Sequence, residues 1–66
     1  MMPYDAILQF FSFEHLPDAL QAVSRPFGEM AHKIVETLPN NRERDVALRK
    51  LLEAKDAAVR ASVFRE

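Results

Sequence analysis

Few side chains in this sequence can make or break bonds. Its histidines are His15 and His32, its serines Ser12, Ser24 and Ser62, and it has no cysteine. No local signature pairs a nucleophile with a base. His32 and Glu36 stand four residues apart, a spacing that binds metals on a helix, but two ligands are too few for a site. Gly28 is the lone glycine, so no glycine-rich loop cradles a phosphate. The expectation is a protein that is not an enzyme and holds no metal or cofactor. Binding chemistry is better represented. Phe10, Phe11, Phe13 and His15 cluster in and before the connector FSFEHLP (11–17). A ring at a proline-fixed bend can offer its face to a nucleobase, and such stacking contributes about 1–3 kcal/mol per base. The same rings can instead pin the N-terminal segment onto the rest of the chain. That second reading is favoured for Phe10 and Phe11 and stands level with the first for Phe13 and His15.

Cations supply the other half of this inventory. In Ser24-Arg25-Pro26 the guanidinium is a planar fork suited to phosphate, and the proline bend exposes neighbouring backbone and the serine hydroxyl. An ordinary surface arginine near Glu29 explains the same residues. Lys55 falls between Leu52 and Val59 on a leucine stripe, and Arg60 sits among small residues. Either these cations bend out to water along their apolar stems, or several chains meet there and the cations face an anion. Asp56 and Arg60 also form an ordinary helical pair of about 0.2–0.5 kcal/mol.

The elements that must position these residues are helical. Residues 4–11 (YDAILQFF) read as a short amphipathic helix that cannot stand alone. Pro17 disfavours helix at Leu16 and suits the first turn of the next helix. A long helix is predicted over 18–38, because Leu20, Val23, Phe27, Met30, Ile34 and Leu38 recur at steps of three and four, joined by Ala31 and Val35. Pro26 removes a backbone donor within it. It implies a bend near Ser24–Pro26, or a helix that begins at Ser24. LPNN (38–41) is the turn, with Asn40 or Asn41 as cap and Asn40 with Glu43 resembling a capping box. A second helix is predicted over 42–63. One stripe (Leu48, Leu52, Val59, Val63) would face the first helix. The other (Ala47, Leu51, Ala54, Ala58, Ala61) would admit a further chain. The fold class is all-α: one domain over 1–66, an antiparallel helical hairpin with a short N-terminal helix.

Sixty-six residues bury only about 60% of the surface that the unfolded chain exposes. Without disulfides, so small a core needs other support, and association of several chains is the natural source. The 48% hydrophobic content agrees, since one hairpin hides little of it. A helical homo-oligomer is therefore expected. Nine basic and ten acidic residues give a net charge of −1, without the basic block that duplex nucleic acid requires. A small anion held by a few placed cations remains compatible. Asp5 stands close to the start and no cleavable apolar core is visible. The longest apolar runs are too short to span a bilayer. A cytoplasmic protein is expected, without membrane contact.

The order of motifs adds a resemblance. Phe13 with His15 and Pro17 is succeeded by Arg42-Glu43, then Ala47-Leu48-Arg49-Lys50-Leu51-Leu52-Glu53-Ala54, then Arg60-Ala61. This series, over residues 11–61, resembles the hairpin domain of phage anti-CBASS and anti-Thoeris proteins. Those proteins are sponges: they sequester the cyclic oligonucleotide signals of bacterial immunity without cleaving them. The resemblance implies hexamers of hairpins in the cytoplasm of an infected bacterium, with cyclic dinucleotides between protomers and, in some members, cyclic trinucleotides in a second pocket. It implies Phe13 as the stacking ring, His15, Ser24 and Arg25 near the phosphates, and Lys55 and Arg60 facing an inter-protomer pocket. Phe13 departs from the family's tyrosine, which loses a hydroxyl and keeps the stack. Arg25 stands in for a lysine of the first helix. The competing reading is an oligomeric module that binds a host or phage protein through its apolar flank. A helix-turn-helix DNA binder is disfavoured by the charge balance and by the length of both helices.

Overall fold

The computed structural model describes residues 6–64. A 3-10 helix, Ala6–Phe11, precedes two α-helices, α1 (Asp18–Thr37) and α2 (Arg42–Val63). The two long helices pack as an antiparallel hairpin, and the 3-10 helix lies against both. The expected short N-terminal helix is thus 3-10 where described, and positions 4 and 5 of that expectation lie outside the described residues. α1 runs through Pro26 without a break. This overturns the alternative in which the helix starts at Ser24. Pro26 and Ala22, whose carbonyl loses its amide partner to the proline, both lie on exposed positions, where water can replace the missing bond. Pro17 stands just before α1, and its carbonyl accepts from the amides of Leu20 and Gln21, both at 2.9 Å.

The hairpin turn is stopped and restarted by identifiable groups. Leu38 is extended (φ −109°, ψ 147°), as a residue before proline must be. The Leu38 amide donates to the Ile34 carbonyl at 3.0 Å. Pro39 has no amide for the next carbonyl, that of Val35. Arg44 supplies the donor instead: its Nη1 donates to the Val35 oxygen at 3.2 Å, and the residue is only 6% exposed. The cap of α2 is Asn41, whose Oδ1 accepts from the Arg44 amide at 2.9 Å. Arg44 therefore occupies the third helical position, and the capping box expected from Asn40 and Glu43 does not form. Glu43 and Asp45 in the first turn and Arg60 in the last suit the helix dipole.

The core takes one fully buried apolar residue from each element: Phe11, Ala31 and Leu48. Ile7, Leu8, Phe27, Ile34, Val35, Leu51 and Leu52 pack around them. The buried positions of α1 are Ser24, Gly28 and Ala31, all small, and not the large residues of the predicted stripe. Met30 and Leu38 of that stripe are 47% exposed. The reason is distance: a Cβ on Gly28 would lie 3.0 Å from the Phe11 carbonyl oxygen and 3.2 Å from the Phe13 ring. The chain before α1 approaches so closely that only small side chains fit beneath it. On α2, Leu48, Leu52 and Val59 face inward as expected, whereas Val63 is 58% exposed. Arg44 opposite Val35 and Leu48 opposite Ala31 set the register. Carried along, it brings Lys55 level with Ser24 and takes Val63 past the start of α1.

Leu48→Ala is expected to lower stability by about 2–5 kcal/mol through the cavity it leaves. Arg44→Ala should cost about 1.5–3 kcal/mol, the range for a hydrogen bond to a charged group. Urea unfolding monitored by helical circular dichroism reads both. An unchanged midpoint for Arg44→Ala would mean that the end of α1 is satisfied without it.

Candidate functional site

The connector folds back on α1 through its own backbone and one glutamine. The Leu16 amide donates to the Phe13 carbonyl at 3.0 Å. Gln21 Nε2 donates to the carbonyls of Leu16 at 2.8 Å and Glu14 at 3.2 Å. Gln21 thus ties the turn to the first turns of α1, a role with no signature in sequence because any polar residue there reads as solvated. The result sets the Cδ2–Cε2 edge of Phe13 against Gly28. It also brings the Arg25 guanidinium over the same ring, with Cζ 5.2 Å from the centroid. That is a cation–π contact of about 0.5–1 kcal/mol at an exposed site. Of the expected anion-site residues, Phe13 and Arg25 therefore come together.

His15 and Ser24 do not join them. His15 lies exposed in the turn. Ser24 is 1% exposed, and its Oγ is buried with no hydrogen-bond partner among the described residues. The hydroxyl points into the hairpin rather than toward the surface where Arg25 lies. The expectation that Ser24 contacts a phosphate beside Arg25 is not met in this chain, because adjacent helix positions lie about 100° apart. Beside Phe13 runs a groove of about 370 Å³ between the 3-10 helix and α1, floored by Phe11 and Gly28 and closed by Glu14 and His32. His32, one turn beyond Gly28, lines this groove, and His15 does not.

Glu14 sets the charge of this site. Its carboxyl is held below the ordinary glutamate value, first by its own backbone amide and then by that of Phe13, against an opposing desolvation, with smaller help from the Ser12 hydroxyl and least from Arg25. Ser12 Oγ donates to Glu14 Oε1 at 3.5 Å. The groove therefore has one carboxylate in its lining, and the Arg25 guanidinium lies over the Phe13 ring that also lines it.

The two cations of α2 part company. Lys55 points into the seam, with a side chain 15% exposed and Nζ 3.1 Å from Asp56 Oδ1. Asp56 thus takes Lys55 rather than the expected Arg60. Arg60 is exposed beside a second open hollow of about 360 Å³, with Ala57, Ala61 and Phe64. Five residues of helix turn Lys55 and Arg60 about 140° apart, so one chain does not present both to one pocket. Phe64, 66% exposed, is an aromatic neighbour of Arg60 that helical periodicity alone did not mark.

Among the described residues no three His, Cys, Asp or Glu side chains converge as metal ligands. No helix there is long and apolar enough to cross a membrane. Comparison with family models, curated proteins and solved structures returns no match to the chain.

Glu14 generates a pH prediction. Because its folded value lies below its unfolded one, its contribution to the connector is complete above the ordinary glutamate value. That contribution disappears as pH falls through the lowered value. The side-chain carboxyl resonance of Glu14 should titrate below those of the other glutamates, and Arg25→Gln should move it upward. A midpoint among the others would remove the carboxylate from the turn. For Ser24, replacement of an unpartnered buried hydroxyl by a smaller apolar group should leave thermal stability unchanged or raise it. A marked drop in the melting temperature of Ser24→Ala would reveal a partner for that hydroxyl.

Proposed function

We propose that the chain binds cyclic di- or trinucleotide second messengers between protomers of a homo-oligomer, a hexamer by its resemblance to the phage hairpin domains, and sequesters them unchanged. In this reading it is a phage immune-evasion protein acting in the cytoplasm of the infected bacterium. The supporting observation is the pairing of an exposed arginine with an aromatic ring, Arg25 with Phe13; Arg60 and Phe64 line a further open hollow. A ring and a guanidinium side by side match the two recognisable parts of a nucleotide, the flat base and the phosphate.

Assembly is supported by what one chain leaves uncovered. Phe10, Met30, Leu38, Val46, Val63 and Phe64 are large apolar residues exposed to water, more than so small a body hides by itself. Assembly would also exclude water from ligands held between protomers and strengthen each charge contact. Sequestration then works by mass action: an abundant protein that binds more tightly than the host effector keeps free messenger below the effector's threshold. The same uncovered residues fit the second reading, a module that binds a host or phage protein.

Calorimetric titration with a panel of cyclic di- and trinucleotides tests the proposal, with subsequent heat release and a check that the ligand is intact. Tight binding with intact recovery is expected. Phe13→Ala should weaken it by about tenfold or more, the loss of one stacked base, without changing the assembly seen by light scattering. Absence of binding across the panel, or recovery of a cleaved nucleotide, overturns it. The first of these results would leave the protein-binding module as the better account.

A further inference from the structure

The Arg25–Phe13 contact has an awkward consequence for a base-stacking site, because the cation occupies the surface of the ring that a base would use. Three observations show how the two uses are reconciled. The ring is fixed: its edge rests on Gly28, and its turn is held by Gln21 through the carbonyls of Leu16 and Glu14. The guanidinium is not fixed: Arg25 is exposed, and among the described residues no hydrogen bond or salt bridge within 4.0 Å ties it down. Its remaining attraction is to the Glu14 carboxylate at longer range. A weak cation–π contact at an exposed site is exchangeable, and a stacked base holds a ring more strongly than it.

We propose that Arg25 is a placeholder on Phe13: its guanidinium covers the ring in the free chain, is displaced by an incoming base, and binds the phosphate attached to that base. This rests on the nucleotide-binding reading and adds a source of specificity to it. A neutral nucleoside must break the cation–π contact and returns nothing to the arginine. A nucleotide breaks the same contact and gives the guanidinium a charge-assisted partner. The site thereby selects bases that carry a phosphate, although Glu14 places a negative charge nearby.

Proton NMR of the whole chain, with adenosine and adenosine 5′-monophosphate as probes, tests this. In the free protein the Arg25 side-chain protons should be shifted upfield by the ring, and Phe13→Leu should abolish that shift. The monophosphate should perturb Phe13 and relieve the upfield shift together. Arg25→Ala should bind adenosine about two- to fivefold more tightly than wild type, because its ring is uncovered. The same variant should bind the monophosphate about tenfold more weakly, for want of its charged partner. If the monophosphate perturbs Phe13 while Arg25 keeps its shift, or if Arg25→Ala binds adenosine no better, the placeholder is overturned and the nucleotide reading stands. If neither probe touches Phe13 at millimolar concentration in either protein, the placeholder is overturned, and the calorimetric panel alone decides the nucleotide reading.

Discussion

The missing side chain of Gly28 is the constraint on which the rest of the molecule depends. With 3.0 Å between a would-be Cβ and the Phe11 carbonyl, and 3.2 Å to the Phe13 ring, any other residue here would require the chain that precedes α1 to give by a few tenths of an ångström. Ser24 and Ala31, one turn to either side, continue the same low strip. Because that strip is low, the 3-10 helix lies close enough for Phe11 to reach Ala31 and Leu48 and complete a core that two helices could not close alone. The same approach delivers Phe13 to the side of α1 that carries Arg25 and His32. Fold and candidate site therefore share one contact. The site is a by-product of how the N-terminal segment is buried.

Polarity along the hairpin seam obeys a second rule, in which each buried cation answers a particular local need. At the turn, Pro39 deprives the end of α1 of an amide, and the Arg44 guanidinium reaches back to the Val35 carbonyl. At the far end Lys55 enters the seam level with Ser24 and leaves its charge beside Asp56. A lysine so placed buries its methylene stem and keeps its ammonium near a half-exposed carboxylate, which limits the desolvation cost. Apolar packing is densest near Leu48 and thinner toward Lys55, and α2 finishes in exposed Val63 and Phe64. The distal half of the hairpin is thus the part with most to gain from a neighbour.

Charge at the connector is balanced rather than basic. Glu14 holds its proton off through backbone amides, and Arg25 lies close enough to feel it. A site of this kind does not attract anions from a distance as a basic groove does. Discrimination has to come from short-range contacts, from a ring fixed in place and a cation free to change partners. Arg60 and Phe64 line a separate hollow at the end of α2, where Phe64 is two-thirds exposed.

Much of the architecture was legible along the chain. The three-and-four spacing from Leu20 to Leu38 and the leucines of the second helix announced two helices, and Pro17, Pro39 and the asparagines bounded them to within a residue. These are local matters of dihedral restriction, missing amides and periodicity. The buried side of α1 was legible in part: Phe27, Ala31, Ile34 and Val35 of the spaced stripe reach the core, whereas close approach added Ser24 and Gly28, and Met30 and Leu38 stayed exposed. Between Phe10 and Phe11, and between Asn40 and Asn41, composition is silent and geometry chose. The site was half legible: Phe13 and Arg25 were recognisable as a ring and a fork and His32 as a histidine of no assigned role, but Gln21 and Phe64 carried no signal. The helices and the chemical types at the site were determined by sequence alone, since propensity and functional groups belong to individual residues. The burial of Ser24, the divergence of Lys55 from Arg60 and the meeting of Arg25 with Phe13 were decided only by tertiary structure, since each depends on how near two distant segments can come.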